Sequence, residues 1–127
     1  MHLTKNDIPI KIDVPGAVAR QQPDFGSAAG TLGAEYFTLG AGTDLAPLLE
    51  GLDGDVCHSP HWGYVIVGKV VVTYHDGTEE TCSTGDVFFW PSGHSVRVEH
   101  DAELVLFSPQ REHGDVMDHI LAKLAAM

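Results

Sequence analysis

The sequence predicts an all-β fold, an antiparallel sandwich or barrel followed by one C-terminal helix. Three observations carry this reading. Short apolar runs with a two-residue period recur at regular spacing between residues 8 and 107. Glycine, proline and an Asp-Gly pair punctuate them, as turns between strands require. From about residue 115 the period lengthens to that of a helix.

Ile8, Ile10, Ile12 and Val14 alternate with polar residues or Pro9, the pattern of an edge strand that Pro15-Gly16 ends. Residues 15–33, rich in Gly, Ala, Gln and Pro, read as irregular chain. Alternation resumes over 34–39, with Glu35, Phe37 and Leu39 on one side and Ala34, Tyr36 and Thr38 on the other. Gly40-Ala41-Gly42 breaks that run, and Asp44 is placed to cap a short helical turn through Leu45, Leu48 and Leu49.

Residues 63–67 and 69–75 are rich in Val, Ile and Tyr and read as strand on either side of Gly68. Asp76-Gly77 is the strongest hairpin signal in the chain, and 78–82 is its return strand. After the turn at 83–86 come strands at 87–90 and 95–100, separated by Pro91-Ser92-Gly93, and a last one at 103–107. The spacing is that of a sandwich or barrel. Val116, Met117, Ile120, Leu121 and Leu124 then form a helical stripe over about residues 115–126. Asp115 and Asp118 near its start and Lys123 near its end suit the helix dipole.

The length of 127 residues fits one domain, with the barrel core at about 34–109. A hydrophobic content of 43% is enough for a packed core. Eighteen Asp and Glu against seven Lys and Arg give a net charge of −11, which repels phosphate backbones and anionic lipid. Nucleic acid and membrane surfaces are therefore not expected partners. No run of about 18 apolar residues is present to span a bilayer. The first residues, Met1 to Asp7, lack the apolar core of a signal peptide, so a cytoplasmic location is expected. Cys57 and Cys82 are too few for a disulfide scaffold and are expected as thiols or metal ligands.

Two segments carry imidazole at the mouth of a strand: Cys57-His58-Ser59-Pro60-His61-Trp62-Gly63-Tyr64, and Gly85-Asp86 through Pro91-Ser92-Gly93-His94. Neutral imidazole binds transition metals. In a flat strand Cys57 and His61 share a face, whereas His58 and His61 do not unless Pro60 breaks the alternation. His75, His100, His113 and His119 read as surface residues, and Trp62, Phe88, Phe89 and Trp90 as core or subunit contacts. No nucleophile elbow, phosphate-binding loop or dinucleotide fingerprint is present.

Tyr64-Val65-Ile66-Val67-Gly68 resembles the end of the first cupin motif, G-x5-H-x-H-x3,4-E-x6-G, and residues 85–93 resemble the opening of the second, G-x5-P-x-G-x2-H-x3-N. The resemblance covers about residues 53–109, and the sequence also looks similar to small bacterial cupins of unassigned function. It implies a cupin-like jelly-roll barrel, a metal centre within it and a homodimer. The motif's ligands are not all kept. With Tyr64 on the motif tyrosine, His61 stands where the motif has glutamate, and its two histidines fall at Asp55 and Cys57. The second motif's histidine falls at Val96, with His94 two residues earlier on the same face.

Two functions follow as expectations. In the first, one divalent transition metal (zinc, iron, nickel or copper) is held by His61 and His94 with His58 or Cys57 completing the set. It acts on a small organic molecule at the barrel mouth, with Tyr64 as acid/base or hydrogen-bond donor. Glu35 and Glu103 are candidate carboxylates from neighbouring strands. In the second, the departures from the motif mark a degenerate site, and the barrel binds or senses a small molecule without catalysis.

Overall fold

A computed structural model describes residues 1–127. Its strands, in chain order, are β1 (Ile10–Val14), β2 (Ala17–Gln22), β3 (Ser27–Ala28), β4 (Gly30–Leu39), β5 (His61–Tyr74), β6 (Glu79–Ser83), β7 (Val87–Trp90) and β8 (His94–Pro109). A four-residue helix, α1 (Ala46–Leu49), precedes β5, and α2 (Gln110–Ala125) follows β8. Every strand pairing is antiparallel, in the order β1-β2-β4-β8-β5-β6, with β3 on β4 and β7 sharing an edge of β5 with β6. The architecture is an antiparallel, cupin-like jelly-roll barrel with a C-terminal helix.

Most elements fall where the alternation places them. The Asp76-Gly77 turn joins β5 to β6, and the Asp44 carboxylate accepts the Ala46 amide at the start of α1. Residues 15–33 correct the expectation of irregular chain, since they form β2, β3 and the start of β4. Their small and amide side chains give little alternation in sequence. Pairing of β2 with β1 and β4 supplies the stability, and it buries Ala19 and Gln21 on the inner face. Helix α2 starts at Gln110, five residues before the expected position.

Two apolar clusters hold the layers together. The barrel interior is filled by Leu39, Val65, Val70, Val72, Leu104 and Leu106 with their neighbours. Ile12, Ala19, Leu49, Val116, Met117 and Ile120 pack both helices against the sheet. Burying Val116, Met117 and Ile120 contributes about 1.5–3 kcal/mol each, so apolar contact dominates the docking of α2.

The β5–β8 ribbon decides where the site can be. Pairing runs from Trp62 opposite Phe107 to Tyr74 opposite His94. A flat ribbon of that length would separate its two ends by roughly 40 Å. Instead the ring centroids of His61, at the start of β5, and His94, at the start of β8, lie 5.0 Å apart. The ribbon curls back on itself, and its register shifts between Val65 and Val70 mark where it does so. Gly68 sits in that bulge at φ 106°, and a Cβ there would lie 2.3 Å from the Asp101 carbonyl oxygen. No L-residue fits without moving the backbone. Gly68→Ala is expected to cost about 2–4 kcal/mol in urea unfolding. A cost below about 0.5 kcal/mol would show that the bulge is not a constraint.

Candidate metal centre

Four segments supply the polar interior. Cys57 precedes β5 and is tied to the start of β8: its amide donates to the His94 carbonyl at 2.8 Å, and the Gly93 amide donates back to the Cys57 carbonyl at 2.8 Å. His61 opens β5 on the inner face, opposite Trp90 of β7. Glu35 lies on the inner face of β4, and Ser108 and His113 come from the end of β8 and the first turns of α2. All six side chains, His94 included, are buried.

Hydrogen bonds fix the protons of the two barrel imidazoles. His94 Nδ1 is 2.8 Å from the Pro91 carbonyl oxygen, which only accepts, so Nδ1 carries the proton and Nε2 is bare. Ser108 Oγ donates to Glu35 Oε1 at 2.6 Å and therefore accepts from His61 Nδ1–H, also at 2.6 Å. His61 Nε2 is then bare as well and lies 3.5 Å from Cys57 Sγ. Donor atoms of Cys57, His61 and His94 lie within 4.8 Å of one another.

Burial sets the charge states. It pushes the His61 pKa well below 6.5, with the neighbouring His113 and His94 adding to the effect. It lowers His94 too, against the opposing pull of the Pro91 carbonyl. Burial pushes the Cys57 thiol up to about 12. Neutral imidazoles are ready ligands, whereas the thiol gives up its proton only to a strong positive charge nearby.

The donor chemistry fits a metal ion. Glu35 Oε2 is buried without a hydrogen-bond partner, and no Lys or Arg is buried anywhere in the chain. A thiol and two neutral imidazoles are the donors that a transition-metal dication takes. Glu35, His61 and His113 also group within 4.8 Å, but Ser108 Oγ already joins Glu35 to His61 by 2.6 Å bonds. That second group is a hydrogen-bonded support rather than a separate ion site. Gly33 leaves room for it, because a Cβ there would stand 2.8 Å from Glu35 Oε2 and 2.6 Å from Gln110 Oε1.

The structure brings Cys57, His61 and His94 together and adds Glu35. It does not bring the remaining candidates. His58 is half-buried outside both donor groups, its Nε2 without a partner. Tyr64 stands on the outer face of β5, 44% exposed, because it is an odd number of residues from inward-facing His61. That removes the geometric basis for an acid/base role. Glu103 also faces outward, bonded to Lys5 at 2.9 Å and to Tyr36 at 3.0 Å.

His113, read as a surface residue from sequence, is buried and accounts for the main omission. Its position in the stripe 113, 116, 117, 120 is the available signal, visible once the helix is extended back by one turn.

A cavity of about 50 Å³ is bounded by Cys57, His61, His94 and His113 and closed by Val116 and Met117 of α2. That is room for an ion and a water. Next to it, a groove of about 360 Å³ runs between the β1–β2–β4 face and both helices, sharing Phe37, Leu39, Leu45, Met117 and Ile120 with the cavity.

No family model matches the chain, and no curated protein matches it. Solved structures do. The oxalate decarboxylase of Bacillus subtilis, described with Mn(II) centres, superposes at TM-score 0.60 with 21% identity over 84% of this chain and 28% of that one. The chain thus spans just over a quarter of that enzyme's length. The polyketide cyclase RemF of Streptomyces resistomycificus gives TM-score 0.56 and 16% identity over 87% of this chain and 79% of that one. These neighbours define the class of the fold, which is that of the cupins. An RmlC-like cupin from Shewanella frigidimarina superposes at TM-score 0.59 with 20% identity over 87% of this chain and 92% of that one.

The lowered imidazole pKa values have a consequence for stability. Above pH 6.5 His61 and His94 are neutral in folded and unfolded chains alike, and their full contribution is present. As the pH falls below that value, the unfolded chain binds protons that the folded chain refuses, and stability is lost. Chelator-treated protein should show a urea midpoint that falls between about pH 7 and 5.5, with a shallower fall in His61→Gln. A flat profile for the native chain over that window would contradict the assignment.

Proposed function

We propose that the protein binds one divalent transition metal at Cys57, His61 and His94 and presents it to a small organic molecule. The observation that carries this is the convergence of one thiol and two buried imidazoles with donor atoms within 4.8 Å of one another, His61 Nε2 lying 3.5 Å from Cys57 Sγ. A nitrogen and sulfur donor set favours zinc, iron, nickel or copper over manganese. The geometry favours Cys57 over His58 as the third ligand. Bound there, the metal would supply Lewis-acid polarisation.

The inner cavity of about 50 Å³ is too small for an organic substrate, so the molecule belongs in the adjoining groove of about 360 Å³. Apolar walls and Asp44 at its edge favour an uncharged, largely apolar compound. One observation favours the non-catalytic alternative. Val116, Met117 and Ile120 cover the cavity, and an ion enclosed in this way suits a carrier or sensor.

Untagged native protein should hold about one metal per chain, and His61→Ala and His94→Ala should each lose it while keeping the fold. Cobalt-loaded protein should show a sulfur charge-transfer band that Cys57→Ser abolishes. Azide that alters the cobalt spectrum supports the substrate-facing reading, and an unresponsive spectrum supports the enclosed one. A native chain that takes up no metal overturns both.

Buried, unpaired thiols at Cys57 and Cys82 fit a reducing cytoplasm, which we infer as the location. No helix is long and apolar enough to cross a membrane. We also infer a homodimer through the outer face of β5 and β7, where Trp62, Tyr64, Val87 and Phe89 are exposed and Trp62 stacks on Phe89 at 5.1 Å. That face offers two acidic chains an apolar meeting point. Solution scattering should return twice the chain mass, reduced to one by Val87→Glu with Phe89→Glu. A monomeric native mass contradicts it.

A further inference from the structure

Glu35 occupies an unusual place among the buried groups. It is the one carboxylate in the interior, and a single oxygen, Oε1, accepts from two sides. Ser108 Oγ–H reaches it at 2.6 Å, and His113 Nδ1 reaches it at 2.7 Å. Ser108 in turn holds His61 Nδ1–H at 2.6 Å. Cys57, His61, Ser108, Glu35 and His113 thus form one continuous chain of contacts from the donor group to the C-terminal helix.

The direction of each bond is determined. Glu35 Oε1 is an acceptor to Ser108 Oγ–H, and His113 Nδ1 meets that same oxygen as a donor. Ser108, having spent its proton, accepts from His61. Without Ser108 or Glu35 the His61 proton is free to reside on either nitrogen, and an Nε2–H tautomer offers the metal no lone pair. His113 donates to the same carboxylate oxygen, its ring centroid 4.4 Å from that of His61, and it shares a helix face with Val116, Met117 and Ile120.

We propose that Glu35 and Ser108 are positioning residues that hold His61 in its metal-binding tautomer, and that α2 anchors this pair through His113, so that metal affinity is set from the C-terminal helix. The proposal rests on the metal-binding reading above. In general, removing a partner that orients a ligating imidazole lowers metal affinity about 10- to 100-fold. The helix remains docked in the variants, because its apolar contacts do not depend on His113.

The test has two readouts. In metal-free protein, long-range proton–nitrogen NMR should show His61 as a single Nδ1–H tautomer in the native chain. Ser108→Ala and Glu35→Gln should give a mixture. In chelator competition, zinc affinity should fall about 10- to 100-fold in Ser108→Ala and His113→Ala, with circular dichroism unchanged. His113→Asn, which keeps an N–H donor for Glu35, should recover most of it. Ser108→Ala with a single native tautomer and zinc affinity within threefold of native overturns the proposal. So does His113→Ala with native affinity. If the native chain binds no zinc, the metal reading fails, and the tautomer readout still decides whether Glu35 and Ser108 position His61. Should Ser108→Ala fail to fold, Glu35→Gln and Ser108→Thr, which keeps the hydroxyl, give the same two readouts.

Discussion

The curl of the β5–β8 ribbon is the constraint on which the rest depends. His61 and His94 mark opposite ends of one antiparallel pairing, yet their rings are 5.0 Å apart. Strand pairing alone would hold them apart. The bulge around Gly68 lets two long strands fold over, so that backbone hydrogen bonding and a closed interior are compatible. Cys57 follows from the same curl, because it bonds to the backbone of Gly93 and His94 beside the ribbon's returning end. Helix α2 then closes what the ribbon encloses.

Inside that enclosure two electrostatic demands meet. Low polarity favours neutral imidazoles, which suits metal binding, and disfavours the Cys57 thiolate, which needs a compensating charge. A dication held there would take up the bare nitrogens and stabilise the sulfur as thiolate. The cavity inside the barrel has room for an ion, and the groove beside α1 and α2 has room for something larger.

Much of the fold was legible because period-two alternation and turn residues act locally. The strands after Gly63, the Asp76-Gly77 hairpin and the inward register of His61 and His94 are all of this kind. Residues 17–33 were not, since β2 and β3 are held by their neighbours rather than by their own composition. Cys57, His61 and His94 could be singled out as candidate ligands because each sits beside a recognisable turn or strand start. Their support was hidden. Glu35 gives the same alternation whether a strand's face is buried or wet, and His113 precedes the obvious apolar stripe. Tyr64 shows the converse, a motif residue whose register carries it out of the barrel.

The contacts around Glu35 also bear on how the chain reaches this state. Glu35 is 73 residues from Ser108 and 78 from His113, whereas Cys57 and His61 are only 4 apart. Closing the long loops costs entropy that the pairing of β4 with β8 and the docking of α2 have to offset. The Cys57–His61 pair needs no such closure and is available to a thiophilic ion in the unfolded chain. Part of the binding energy of a metal held there would therefore be available before folding, and the thermal stabilisation it conferred on the native barrel would be smaller than its affinity alone gives.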